Sequence, residues 1–259
     1  MRMMKKVLGT VTVLALSASL LAGCGSTAAS PVSSAASTAA ESTTSSVVSE
    51  TTSAAADENV AAAAQLLNDL TGSYQELWPV ILADEYQQTW LDDCTALVGE
   101  ENAEAAFEKL SSMVTSDVYG EDAVEAYANG GGAYFCGFTN SLATLTFDGE
   151  TSTISGTDKD GNVLFSHTYH YIGMEPVHGL YEFESDDADS GEFTYFFLAP
   201  DTSAETYHIE FRYGSDAEAL SQYDAGEYAY WVASGISTDC DQTMIDNCIE
   251  LFCTENLAG

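Results

Sequence analysis

The stretch from Ala133 to Gly214 constrains this chain more than any other. It is rich in Thr, Tyr, Phe and Val and is cut at short intervals by turn residues. Alternating apolar and polar residues between such turns mark half-buried β-strands. The pattern predicts strands near 133–139, 142–147, 151–156, 162–171, 178–184, 193–199 and 205–213. Seven or more short strands from one continuous segment predict a closed or nearly closed antiparallel barrel, because closure removes exposed edges. Asp160-Gly161 marks one hairpin turn. Asp158–Asn162 faintly resembles the start of a calcium loop but lacks the later ligands and the terminal Glu, so it reads as a hairpin.

Helical periodicity flanks this run. Asp57–Thr71 places Val60, Ala64, Leu67 and Leu70 on one stripe, with Gly72 to end it. A helix is predicted from Pro79 to about Val98, with Tyr86, Trp90, Cys94 and Leu97 inward. Glu101–Met113 follows, with Ala103, Phe107, Leu110 and Val114 inward, and then the weaker Glu121–Ala128. After the strands, Asp216–Tyr223 reads as a short helix, and Tyr228–Trp231 as a last strand or a capping segment. Asp239–Leu257 is the closing helix, with Cys240, Met244, Cys248, Leu251 and Phe252 as its apolar stripe. Helices, then antiparallel strands, then a helix make an α+β plan.

The N-terminus is of a different kind. Arg2, Lys5 and Lys6 precede an apolar run from Val7 to Leu21, and Leu21-Ala22-Gly23-Cys24 follows. A basic start, an apolar core and small residues before a cut site describe a secretory signal peptide over residues 1–23. The Leu-Ala-Gly-Cys ending resembles the bacterial lipobox, which implies cleavage before Cys24 and its lipidation. Of the 32 residues from 25 to 56, 25 are Ser, Thr or Ala. With Cys24 they read as a flexible tether (residues 24–56) with an r.m.s. span of about 30 Å. That length suits a domain held clear of a membrane and a thick wall, hence the outer face of a Gram-positive cytoplasmic membrane. The folded domain is then residues 57–259.

Charge narrows the partners. Beyond the signal peptide, Lys109, Lys159 and Arg212 stand against 41 Asp and Glu, so the formal charge there is 3 − 41 = −38. Such a field repels nucleic acid and anionic lipid and concentrates cations. Cys94, Cys136, Cys240, Cys248 and Cys253 remain after Cys24. Outside the membrane disulfides form, but helical spacing keeps the last three from pairing with one another. Any bridge therefore joins Cys94 or Cys136 to one of them.

Strand 205–213 carries the chemistry. Tyr207, Ile209, Phe211 and Tyr213 point one way, while His208, Glu210 and Arg212 point the other. An imidazole and a carboxylate side by side are half of a zinc site, which takes three or four ligands from His, Cys, Asp or Glu. The remaining histidines are His167, His170 and His178. His167 and His170 face opposite sides of one strand, so a site is built from His208, Glu210 and either His167 or His178, with water or another carboxylate. No Gly-x-Ser-x-Gly, His-Glu-x-x-His or phosphate-binding Gly loop occurs, and nothing points to an enzyme.

Two stretches together resemble one family. Asp69-Leu70-Thr71-Gly72-Ser73-Tyr74-Gln75-Glu76-Leu77-Trp78-Pro79-Val80 resembles the opening motif of the ZinT (YodA) family, Asp-Trp-x-Gly-x-Trp-x-Ser-x-Tyr-Pro-Leu. Its Gly-x-aromatic core is also the first-strand signature of lipocalin-like barrels. Phe193–Gly214, with Ala199-Pro200 between its strands, resembles that family's paired strands and His-x-His motif. The resemblance implies a lipocalin-like barrel flanked by helices that binds zinc outside the cytoplasm and passes it to a zinc ABC importer or its solute-binding protein. It also implies a non-enzymatic role. Anchored on Gly214, the family's two paired histidines align with His208 and Glu210, or with Thr206 and His208 if the match shifts by two, and its third ligand falls on Phe196. A metal-free barrel serving as a surface binding or interaction module is therefore the alternative.

Overall fold

The computed structural model describes residues 47–200 and 208–258. The expected signal peptide, Cys24 and most of the expected tether lie outside them. The first helix, α1 (Val47–Asp69), begins earlier than Asp57. Its alanine-rich composition favours helix over tether. No described helix is long and apolar enough to cross a membrane.

Eight strands close into one barrel. They are β1 (Gly72–Glu76), β2 (Thr144–Asp148), β3 (Thr153–Thr157), β4 (Val163–Met174), β5 (Tyr181–Ser185), β6 (Tyr195–Leu198), β7 (His208–Gly214) and β8 (Ala233–Ser237). Each pairs antiparallel with its neighbour in sequence, and β8 returns to β1. This is the α+β, up-and-down barrel plan with flanking helices, the strand count and order of lipocalin barrels.

Period-two alternation separates two cores. Inward residues of every strand join one cluster: Tyr74, Leu145, Phe147, Ile154, Phe165, Tyr169, Phe183, Phe196, Phe211, Tyr213 and Ala233. Rings fill the interior. Phe165 stacks on Phe193 at 3.9 Å, Phe196 on Tyr213 at 5.4 Å, and Tyr213 meets Trp231 edge-on at 5.0 Å. Each fully buried Phe contributes about 2–3 kcal/mol of transfer free energy. From α1, Ala63, Leu66, Leu67 and Leu70 pack on this core, while Val60 is exposed. The buried stripe is thus offset from the predicted one by a residue at Ala64.

The second core lies outside the barrel wall. It combines α2 (Leu77–Ile81), α3 (Gln87–Val98), α4 (Ala103–Ser112) and α7 (Gln242–Leu257) with Ile236 of β8. The predicted helix from Pro79 to Val98 is broken at Ala83, whose backbone is extended, and resumes after a 3-10 turn at Asp84–Tyr86. The break lets α2 and α3 approach from different directions, and the Trp90 indole N–H seals it by donating to the Ile81 carbonyl at 2.7 Å. The closing helix starts at Gln242, because the Asp241 carboxylate accepts the Met244 N–H. Its buried residues are Ile245, Cys248, Ile249 and Cys253. Two shorter helices, α5 (Glu121–Ala128) and α6 (Ala217–Leu220), complete the set.

One strand expectation fails, and the choice between strand and cap at Tyr228–Trp231 falls to the cap. Residues 133–139 form no strand; Phe135 makes only isolated bridges to Thr115 and Trp231. Residues 228–231 are a turn and a bridge, and Tyr230 has a φ of 56°. Both segments plug the barrel instead. Phe138 and Trp231 enter the inner core, Trp231 donates to the Gly137 carbonyl, and Thr139 N–H donates to the Tyr213 hydroxyl.

Candidate functional site

β7 exposes its two faces to different cores. Ile209, Phe211 and Tyr213 belong to the barrel interior. His208 and Glu210 are half-buried on the outer face, opposite Ile236 and Ser234 of β8. They open on a small cleft completed by Leu77, Trp78 and Ile81 of α2 and by Cys248, Leu251, Phe252 and Glu255 of α7. Its free volume is about 30 Å³, room for one water or one ion. On α7, Cys248 and Glu255 are two helical turns apart, so both face β7. One imidazole, two carboxylates and one thiol thus line a single cleft.

The wall behind the cleft is polar. Cys136 is buried beside Glu210. Burial first, and then the Glu210 charge, push its thiol well up; hydrogen bonding with Ser234 and Trp78 pulls the other way. The thiol is therefore protonated at neutral pH. His208, Glu210, Cys248 and Glu255 are each engaged with neighbours. Among the described residues, no three His, Cys, Asp or Glu side chains converge tightly enough to hold a metal as they stand.

His167 does not reach this site. It lies on the opposite face of the wall, in the column of Phe165 and Tyr169, and pairs with the inward Ile154. Its ring stacks on Phe165, and its Nδ1 lies 2.7 Å from Asp187 Oδ2. His170, on the outer face of β4, pairs with Asp186 at 2.7 Å. The acidic loop after β5 thus serves both histidines of that strand.

His178 belongs to another cluster. Glu175 is fully buried in the β4–β5 turn and accepts the backbone N–H groups of Val177 and His178 at 2.9 and 2.6 Å. The His178 imidazole lies 3.7 Å from Glu175 and packs on Tyr223, whose ring carries Arg212 at 4.2 Å. Burial, the largest cause, lowers the His178 pKa; Glu175 opposes this and Arg212 adds to it. Arg212 is fully buried and donates to the carbonyls of Leu220, Gln222 and Tyr228.

Phe196 points into the barrel. Its ring packs among Phe165, Tyr169, Phe211 and Tyr213. Phe196 and the His208–Glu210 pair therefore face opposite sides of the wall. A shared site is impossible for them, because neighbours across a sheet with inverted facing never meet. Glu255 and Cys248 are the donors that sequence reasoning missed. Their seven-residue spacing on one helix was visible, but where that helix docks was not.

No family model and no curated protein matches the chain. Among solved structures it is similar to the Zn(II)-bound ZinT-like domain of AdcA from Streptococcus pneumoniae, at 15% identity over 70% of this chain and 87% of that one, with a TM-score of 0.44. It is also similar to Zn(II)-bound AdcA from the same organism, at 13% identity and a TM-score of 0.41. There the match covers 71% of this chain and 34% of the other, about a third of its length. The metal in those crystals belongs to those proteins, and any metal here rests on the donors of this chain.

Proposed function

We propose that this chain is an exported lipoprotein, anchored through Cys24 to the outer face of the cytoplasmic membrane, that binds a divalent metal ion and recruits it for import. The observation that carries the metal reading is the cleft on the outer wall of β7, where His208 and Glu210 face Glu255 and Cys248 of α7. Imidazole, carboxylate and thiol are zinc donors, and zinc is the ion this set suits best. His208 and Glu210 would form the strand half of the site and Glu255 the helix half, with Cys248 as a fourth donor once deprotonated. The formal charge of −38 beyond the signal peptide would raise the local cation concentration. Transfer to a zinc ABC importer or its solute-binding protein is the step such a carrier serves, and it needs no catalytic residue.

Calorimetry on metal-stripped protein near neutral pH tests the reading. Zinc uptake at one site is expected, with His208→Ala and Glu255→Ala each weakening it at least about tenfold, as loss of one ligand does. No heat of binding, or unchanged affinity in both variants, would falsify it.

A second reading is a metal-free binding module, favoured by the aromatic rings that occupy the barrel interior around Phe196. Its ligand would sit outside the barrel, in the cleft of about 330 Å³ between α2 and residues 114–137, where Trp78 and Phe135 form apolar walls and Glu76 and Ser116 supply polar groups. A melting temperature that does not move on adding zinc supports this alternative, since a ligand bound by the native state alone must raise it.

A further inference from the structure

Two thiols outside the cleft face each other between α3 and α7. Cys94 Sγ lies 3.9 Å from Cys253 Sγ, across 159 residues of sequence. Both side chains are completely buried. The other described cysteines are placed differently: Cys136 sits against Ser234 and Glu210, Cys248 lines the cleft, and Cys240 is half-buried before α7.

We infer that Cys94 and Cys253 are a disulfide site, closed during folding outside the cell, which staples α7 to α3. The sulfurs must approach to about 2.05 Å, a movement of about 2 Å that two χ1 rotations and a small helix shift supply. In the cell the inference rests on the export proposed above, because thiols inside the cytoplasm stay reduced.

The chemistry is thiol–disulfide exchange. One Cys thiolate attacks an external disulfide, such as oxidised glutathione or an exported dithiol oxidase, and displaces one thiol. The second Cys thiolate then attacks the mixed disulfide and displaces the other thiol. Two protein thiols are oxidised by two electrons, the external disulfide is reduced to two thiols, and those thiols take up the two protons. In the folded protein both sulfurs are completely buried, and no oxidant reaches them. The bridge therefore closes before α7 docks, or through its transient opening.

The bond has a local consequence. Cys253 lies one residue from Phe252 and two from Glu255, both of which wall the His208 cleft. Fixing Cys253 fixes the helix that supplies half of the proposed donors.

The test uses the full chain, reduced and unfolded, then refolded in a glutathione redox buffer. Digestion without reductant, followed by mass spectrometry, is expected to yield a Cys94–Cys253 cross-linked peptide pair that reduction separates. The oxidised protein should melt about 10 °C above the reduced one. Cys253→Ser and Cys94→Ser should each abolish that difference, and either one suffices if the other fails to fold. Both cysteines recovered as alkylated free thiols, or Cys94 joined to Cys136, Cys240 or Cys248, overturns the inference. Refolding reads the pairing alone, so it stands apart from whether the chain is exported or binds metal.

Discussion

Arg212 holds three backbone carbonyls at once, and through them the chain from Leu220 to Tyr228. It stands on the outer face of β7, two residues from Glu210, yet it is fully buried while Glu210 reaches the cleft. A buried guanidinium stays charged, so its worth lies in the donors it saturates. His178 shares this buried corner with Glu175, Tyr223 and Arg212. Its pKa is lowered in the folded protein, chiefly by burial. The unfolded chain therefore takes up a proton first as pH falls. The stabilisation is complete above about pH 6.5, the unfolded value, and is lost as pH drops through the lower folded value. In urea titrations below about pH 6.5, the wild type should lose stability more steeply than His178→Gln. Parallel pH profiles would refute this. Glu182, raised by burial and by Glu175, acts in the opposite sense, and the comparison between the two proteins cancels it. At this scale the sequence was legible where alternation rules: His208 and Glu210 do share a face, and His167 and His170 do oppose each other. It was not legible where two faces had to be matched across the sheet, so His167 and His178 were placed with partners they do not meet.

β8 closes the barrel with Ala233-Ser234-Gly235-Ile236-Ser237, a segment without aromatic or long inward residues. Its smallness is structural. A Cβ on Gly235 would lie 3.1 Å from Ile209 Cγ1, so the strand fits because it offers no side chain there. Gly235→Val is expected to push β8 from β7 and to cost about 2 kcal/mol by overpacking, read as a lower urea midpoint. An unchanged midpoint would mean that Ile209 turns aside without strain. The same smallness hid β8 from pattern reading, which rewards Val, Tyr and Phe and so marked residues 133–139 as a strand and Tyr228–Trp231 as a strand or a cap. Those segments are apolar because they plug the barrel, and their backbones pair only through isolated bridges. Apolar content marks burial, and burial alone does not distinguish a strand from a plug. In the helices the element types were right, while the stripes were partly off: Leu97 is exposed, and Ala106 joins the buried side of α4, where Phe107 is half-buried against Trp90 and the second core. Long side chains at stripe edges can lie along the surface, so their identity does not fix their facing.

Across the whole molecule, charge and topology act at long range. Three cations against 41 acids beyond residue 23 make self-repulsion a standing cost of the compact state. Raising sodium chloride from about 0.01 M to about 0.15 M shortens screening from about 30 Å to about 8 Å. The melting temperature should rise over that range, and a flat or falling curve would show that the acids are already compensated within the fold. The sequence by itself determined the class: a domain of helices around consecutive antiparallel strands, and an imidazole beside a carboxylate on one strand face. Local rules suffice for these, because strand alternation and helix periodicity are set by residues near one another in the chain. The tertiary structure alone decided which side of the wall that face looks onto. It turned His208 and Glu210 outward beneath α7, filled the interior around Phe196 with rings, and brought Glu255, Cys248 and the Cys94–Cys253 pair into place. Those outcomes depend on how a closing helix packs against a barrel formed far from it in sequence, and packing between distant segments leaves no period in the chain to read.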